Sequence, residues 1–220
     1  MTDCCQPAYA GLFNSRRARK DAKSYRKKGL DGQSAQIVSF LSTQPLDGTT
    51  ILEVGGGIGA IQLELLKAGA DRAVSIELST EYEPAARELL AEASLEERVD
   101  RRVGDFVGMN GDLPIADAVV LNKVICCYPD MPALLGAACD HARARVVITV
   151  PRERWLLRAV MGLANQWFRL RRSAFRAFVH PKQGMIEEAT QRGFQLADEQ
   201  SGRIWNVILF ERVKEPPANN

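Results

Sequence analysis

Four polar signals stand in series through the middle of the chain. They are Glu53 ahead of "GGGIG", Glu77 in "VSIEL", Asp105 in "VGDF", and Asn122-Lys123 in "VVLNKV". Each closes a short apolar run. A series of this kind can line one extended polar ligand, with an acceptor for each part that donates hydrogen bonds. The glycines come first. Without Cβ atoms, Gly55 and Gly57 permit a tight turn and a close approach by a ligand. The helical pattern that follows, "GAIQLELLKAG", would aim free N–H groups and the positive end of its dipole at the same spot.

Three ligand classes use such a loop: a dinucleotide pyrophosphate, a nucleoside triphosphate, and the sulfonium nucleoside S-adenosylmethionine (SAM). No Gly-Lys-Ser/Thr follows the glycines, which removes the triphosphate. The dinucleotide pattern GxGxxG/A is matched through Gly55, Gly57 and Ala60, so the loop alone leaves two readings open. Glu53 favours one of them. A carboxylate so near a pyrophosphate is repelled, whereas the ammonium end of SAM is attracted. The bland alternative is a buried carboxylate satisfied by backbone N–H groups. Glu77 can accept both hydroxyls of a ribose, which suits either nucleoside, or it can serve the start of the next helix. Asp105 can accept from an adenine amine while Phe106 covers the ring, or it is a turn aspartate.

The elements that must carry these residues read as repeated β/α units. "TILEV", "AVSIEL", "VDRRVGD", "ADAVVLN" and "ARVVITVP" are strands. "GAIQLELLKAG", "TEYEPAARELLAEASL" and "MPALLGAACDHA" are helices between them. Short connections in such a series predict a parallel sheet covered on both faces. Ahead of it, residues 1–48 read as a helical cap of the same domain: a basic helix over 15–28 stopped by Gly29, then a helix N-capped by Asp31. After Pro151 come a long helix, a second helix ending near Gly193, and two strands joined by a turn at "QSGR". Residues 49–213 form the main domain, and 214–220 read as a frayed tail.

The ordered set "LEVGGGIG", "VSIEL", "GDF" and "VVLNKV" resembles the class I SAM-dependent methyltransferases, over roughly residues 30–213. Within them the chain looks most like small bacterial methyltransferases of unassigned substrate, through "VLNKVICCYPD". It is more distantly similar to magnesium-protoporphyrin O-methyltransferases. The resemblance implies a Rossmann-like α/β three-layer sandwich. Its seven-stranded, mostly parallel sheet would have an antiparallel last strand, here "IWNVILFERV". It also implies that SAM is the cofactor, that Gly55, Gly57 and Gly59 line its methionine part, that Glu77 binds the ribose and that Asp105 binds the adenine. Asn122 would face the donor methyl, where the family often has a histidine or another polar residue.

Methyl transfer needs alignment of donor and acceptor, exclusion of water, and a base only where a proton must leave. "NKVICCYPD" would stand at the acceptor pocket, with Lys123, Cys126, Cys127 and Tyr128 as lining. The thiol pair could hold a soft metal or metalloid, joined by Cys4 and Cys5, or could be small packing residues. His180 offers a near-neutral general base or substrate ligand, or a packing group. His141 reads as structural. Trp155, a further candidate for the acceptor pocket, opens the long helix, whose Trp155, Val160, Leu163 and Trp167 share one side. That helix reads as a substrate lid, a membrane-surface helix or ordinary core.

Composition narrows the class. At 220 residues and 25% charged, the chain is of ordinary globular make-up and long enough for one sizeable core. No run is long and apolar enough to span a bilayer, and no secretory signal is legible, so a cytoplasmic location is expected. Five cysteines without a CxxC, and two histidines, give no zinc pattern, and no metal site is expected. The net charge of +2 conceals an uneven spread. Residues 1–50 carry 8 basic against 4 acidic side chains, 51–140 carry 7 against 16, and 141–220 carry 14 against 7. Basic flanks around an acidic centre suit a small anionic, partly apolar acceptor. No nucleic-acid motif is visible. Two other readings stay open: an NAD(P)-dependent oxidoreductase, and a non-catalytic SAM-binding accessory protein.

Overall fold

The computed structural model describes residues 11–173 and 175–213. Its centre is a seven-stranded sheet in the order β3-β2-β1-β4-β5-β7-β6. The strands are β1 (Thr50–Val54), β2 (Arg72–Glu77), β3 (Val99–Val103), β4 (Ala116–Asn122), β5 (Ala142–Pro151), β6 (Phe194–Ser201) and β7 (Trp205–Arg212). Strands β1 to β5 pair in parallel. Strand β7 runs antiparallel to both β5 and β6, as the family resemblance implies for the last strand.

Alternation along each strand divides the core in two. Leu52, Val54, Val119, Leu121 and Ile148 point to one face, where α5 (Met131–His141) and α7 (Lys182–Gln191) cover them. Ile51, Val120 and Val147 point to the other. There they meet α1 (Ser15–Lys28), α2 (Gly32–Leu41), α3 (Ala60–Lys67) and α4 (Glu83–Ala93). Each fully buried Leu or Ile contributes roughly 1.5–3 kcal/mol. Asn14 and Asp31 cap α1 and α2 by accepting from Arg17 N and Ser34 N. Ala18 and Ala22 press α1 onto the domain, and Arg26 reaches Glu88 and Glu92 across it.

The long helix expected from Arg152 is α6, Trp155–Leu170. No residue in it is buried. Trp155 is 80% exposed, and Val160, Leu163 and Trp167 are exposed as well. Their periodicity is that of a covered face, yet among the described residues nothing covers it. The core reading of this helix is therefore corrected. Helices that do reach the sheet, such as α3, α5 and α7, follow or precede a strand closely enough to lie along it. Helix α6 leaves β5 at its carboxyl end and is held at the rim.

Candidate active site

The chain lays β1, β2 and β3 outward in one direction and then returns to place β4 on the other side of β1. Helix α3 after β1 goes to one face, and α5 after β4 goes to the other. A crevice opens between them at the strands' carboxyl ends, where open α/β sheets bind ligands. A cleft of about 530 Å³ occupies it.

The glycine loop forms its floor. Gly55, Gly57 and Gly59 hold φ of 65°, 58° and 76°, a region unfavourable to other residues. A Cβ on Gly55 would lie 2.6 Å from Val124 Cγ2, and one on Gly57 would lie 3.2 Å from Tyr82 Cε1. Gly55 and Gly57 line the cleft. Gly59 does not; it turns the chain into α3, and that position is a correction to the expected lining.

Buried groups fasten the loop from beneath. Glu77 Oε2 accepts from Gly57 N at 2.8 Å, and Oε1 accepts from Ser79 N at 2.9 Å. Each oxygen keeps a second lone pair for a donor from the cleft. Burial raises the Glu77 pKa above the usual carboxylate range against these hydrogen bonds. Arg101, in mid-β3, donates to the Gly57 carbonyl at 3.0 Å and pairs with Glu83 at 2.8 Å. Its side chain is 2% exposed.

Glu53 is fully buried beside the loop. Burial pushes its pKa up to about 8, against the pull of Arg101 and of the Gln62 backbone N–H. Among the described residues its Oε2 has no hydrogen-bond partner. Asn122 donates to Ser34 Oγ at 3.2 Å, and its Oδ1 is likewise buried without a partner. Both residues line the cleft. Two unpaired buried acceptors in one cleft are costly unless a ligand supplies donors. Asp105 and Phe106 also line the cleft, the latter buried against His141.

The β4 side is assembled differently. Lys123, at φ 60°, sends Nζ to Asp31 Oδ2 at 2.5 Å and lies 5.9 Å from the Trp205 ring. Burial would raise Asp31, but the hydrogen bonds from Lys123 and Ser34 outweigh it and hold the carboxyl low. Cys126 and Cys127 stand 3.5 Å apart in the cleft wall. The hydrogen bond the two thiols share raises Cys126 and lowers Cys127. Tyr128 completes this wall, with its hydroxyl 3.5 Å from Asp105 Oδ1. Cys4 and Cys5 lie outside the described residues, and among the described residues no group of three metal-ligating side chains forms.

Two expected pocket residues are not brought to the cleft. Trp155 stands exposed on α6. His180 turns its Nε2 to the Tyr128 carbonyl at 3.0 Å and stacks on Phe178, so it lies behind the wall rather than in it. Sequence reasoning in turn missed Phe13, Arg17 and Asp21, by which α1 and the segment before it roof the cleft, and Trp205 at its edge. The basic character of α1 carried the only signal, and it did not say which face turned inward. Arg101 gave none, being one of two adjacent arginines in a strand.

A family model described as a methyltransferase domain matches residues 24–199. The chain belongs to the methyltransferase-domain family. Its fold is that of the class I SAM-dependent enzymes. Magnesium protoporphyrin IX methyltransferase from Synechocystis PCC 6803, solved with bound S-adenosylhomocysteine, superposes at TM-score 0.73 and 16% identity, over 93% of this chain and 98% of that one. A putative sarcosine dimethylglycine methyltransferase from Galdieria sulphuraria gives 0.67 at 10% identity, over 84% and 87%. An O-methyltransferase family 2 protein from Planctomyces limnophilus, in complex with apigenin, gives 0.65 at 18% identity, over 90% and 62%. No curated protein sequence matches the chain.

The cleft of this methyltransferase-domain chain fits SAM. The glycine cradle would be filled by a Cβ, and the Glu53 and Asn122 oxygens lack donors. The acceptors lining the cleft include the carboxylates of Glu53, Glu77 and Asp105, which suits a cationic ligand.

Proposed function

We propose that this protein transfers a methyl group from SAM to a small, partly apolar or anionic acceptor. The observation that carries the reading is the pair of unpaired buried oxygens, Glu53 Oε2 and Asn122 Oδ1, in the same cleft as the glycine loop. When bound, SAM supplies the electrophilic methyl carbon for an in-line displacement. The chain's own residues do the rest. Glu53 takes the ammonium end, and the Gly55–Gly57 turn admits the methionine backbone. Glu77 accepts from the ribose with the lone pairs its backbone partners leave free. Asp105 and Phe106 hold and cover the adenine.

The acceptor would enter on the β4 side. There Arg17 and Lys123 offer positive charge, while Phe13, Tyr128 and Trp205 offer apolar surface. That mixture suits an anion with an aromatic or aliphatic body. Among the described residues the cleft wall contains no histidine. Asn122 therefore acts by orientation, with its amide fixed by Ser34. Alignment and water exclusion supply the rate, and proton removal falls to the acceptor's own acidity or to solvent.

Calorimetry with SAM and with NAD tests the donor, and transfer of a labelled methyl into fractionated extract tests the reaction. SAM binding with label incorporation supports the proposal. Tight NAD binding without SAM binding would favour the oxidoreductase. SAM binding with no incorporation into any fraction would favour the accessory protein.

A further inference from the structure

Helix α6 carries a surface that the cleft does not use. Leu156, Val160, Leu163, Trp167 and Leu170 recur at alternating steps of four and three, so they form one straight stripe. All five are exposed, Leu163 at 71% and Leu170 at 83%. From Leu156 to Leu170 the stripe is about 21 Å long. Among the described residues nothing lies across it. An apolar strip of this length is unusual on a free surface and marks an interaction site.

The charges at its ends say what it meets. Arg152 and Arg154 flank its start, and together with Leu156 and Ile204 they border a shallow groove. Arg171 and Arg172 follow its end, and Arg171 lies 4.8 Å over the Trp167 ring. Glu153, the only acid within residues 152–172, is engaged with Arg158 at 3.5 Å, and Glu199, which lines an adjoining groove with Arg152 and Arg154, is paired with Lys182. A second copy of this face would set arginines against arginines, whichever way the two helices ran. An anionic bilayer surface meets both features at once. Its acyl boundary takes the stripe, its phosphates take the guanidinium groups, and Trp155 and Trp167 suit the headgroup level.

We propose that α6 docks this protein onto anionic membrane surfaces, lying in the plane of the interface with the stripe inward. No part of this rests on the methyltransferase reading. The test is co-sedimentation of the full chain with phosphatidylcholine vesicles, with and without phosphatidylglycerol. The expected result is partition onto the phosphatidylglycerol vesicles, weakened at least about tenfold between about 0.1 M and about 0.5 M salt. Leu163→Glu should abolish partition, and the Arg171→Glu, Arg172→Glu double variant should lower it at least about tenfold. All three positions are exposed, so unchanged melting curves should accompany the loss. Tryptophan emission should shift to the blue on vesicle addition, and the shift should vanish in a Trp155→Phe, Trp167→Phe variant that retains Trp205. Absence of partition, or partition equal in wild type and Leu163→Glu, would overturn the proposal. So would a dimer in sedimentation velocity that Leu163→Glu splits, with no vesicle binding, because a second copy would then be the occupant.

Discussion

The floor of the cleft, over β1, β2 and β3, is fastened by buried groups, whereas its β4 wall is held by partners near the surface. Beneath the glycine loop, Glu77 and Arg101 each bind the backbone of Gly57, one at its N–H and one at its carbonyl. On the other side Lys123, itself partly exposed, reaches a half-exposed Asp31. The difference suits the two tasks of the proposed reaction. A methyl donor of fixed shape rewards a rigid, preorganised floor. An acceptor pocket can vary by changing walls that the core does not depend on. Breaking the floor should therefore cost far more than breaking the wall.

The largest effect is expected at Gly55. Gly55→Arg places a side chain where Cβ alone comes within 2.6 Å of Val124, at a φ of 65°. Calorimetry should show SAM affinity lowered by more than about a thousandfold, equivalent to over about 4 kcal/mol. Circular dichroism should report a folded chain, since the loop lies beyond the carboxyl ends of the strands. Affinity within tenfold of wild type would mean that the ligand does not pass over this glycine.

Next is Arg101→Ala. It leaves Glu83 and the Gly57 carbonyl without their buried partner, and breaking such a pair typically costs about 3 kcal/mol. Urea unfolding should show that loss, and SAM binding should weaken with it because the loop is no longer held. A loss under about 1 kcal/mol would mean that the loop supports itself.

These two residues also mark what a sequence can disclose. Gly55, Glu53, Glu77 and Asp105 were legible because each ends an apolar strand, and strand ends converge in a parallel sheet whatever the details of packing. Arg101 was hidden. Its neighbour Arg102 has the same charge and pairs on the surface with Asp100, and only the pleat decides which of the two turns inward. Phe13, Arg17 and Asp21 were hidden for a related reason. A basic helix declares one polar face, but the surface under it is chosen by tertiary packing. For α6 the apolar repeat reads as a substrate lid, a membrane-surface helix or ordinary core. Periodicity carries no information on what supplies the cover, so Trp155 was assigned to a pocket it does not enter. His180 follows from the same limit, since a near-neutral side chain is attractive on paper wherever its backbone lies.

Glu53 should give an intermediate effect through pH. Burial is the main cause of its rise to about 8, with Glu77 adding to it and Arg101 opposing it. The folded, ligand-free protein thus binds a proton there that the unfolded chain gives up near its ordinary value of 4.5. The stability from this proton is complete below that value and is lost as pH rises through about 8. Urea unfolding of the ligand-free protein should show the decline, and Glu53→Gln should flatten it. Binding runs the other way. The ammonium of SAM favours the ionised carboxylate, so affinity should climb up to about tenfold per pH unit below the Glu53 pKa. Near neutral pH each binding event should release a proton, seen as a calorimetric heat that changes with the buffer. A heat independent of the buffer would separate Glu53 from the ammonium.

The smallest effect is expected on the β4 wall, where two terms nearly cancel. Lys123→Ala removes an ion pair whose partner is half exposed, worth about 0.2–1 kcal/mol. It leaves a Cβ at φ 60°, a conformation that costs an ordinary residue about 1–2 kcal/mol. Lys123→Gly removes the same pair and also that strain. Glycine ordinarily weakens a fold relative to alanine through its greater unfolded-state entropy. Here the order should invert, with Lys123→Gly more stable than Lys123→Ala by about 1 kcal/mol in urea unfolding and close to wild type. SAM affinity should stay within about threefold in both variants, because the donor floor does not depend on Lys123. If alanine proves the more stable of the two, the turn after β4 relaxes out of the left-handed region. The wall would then be looser still than its pairing with Asp31 implies.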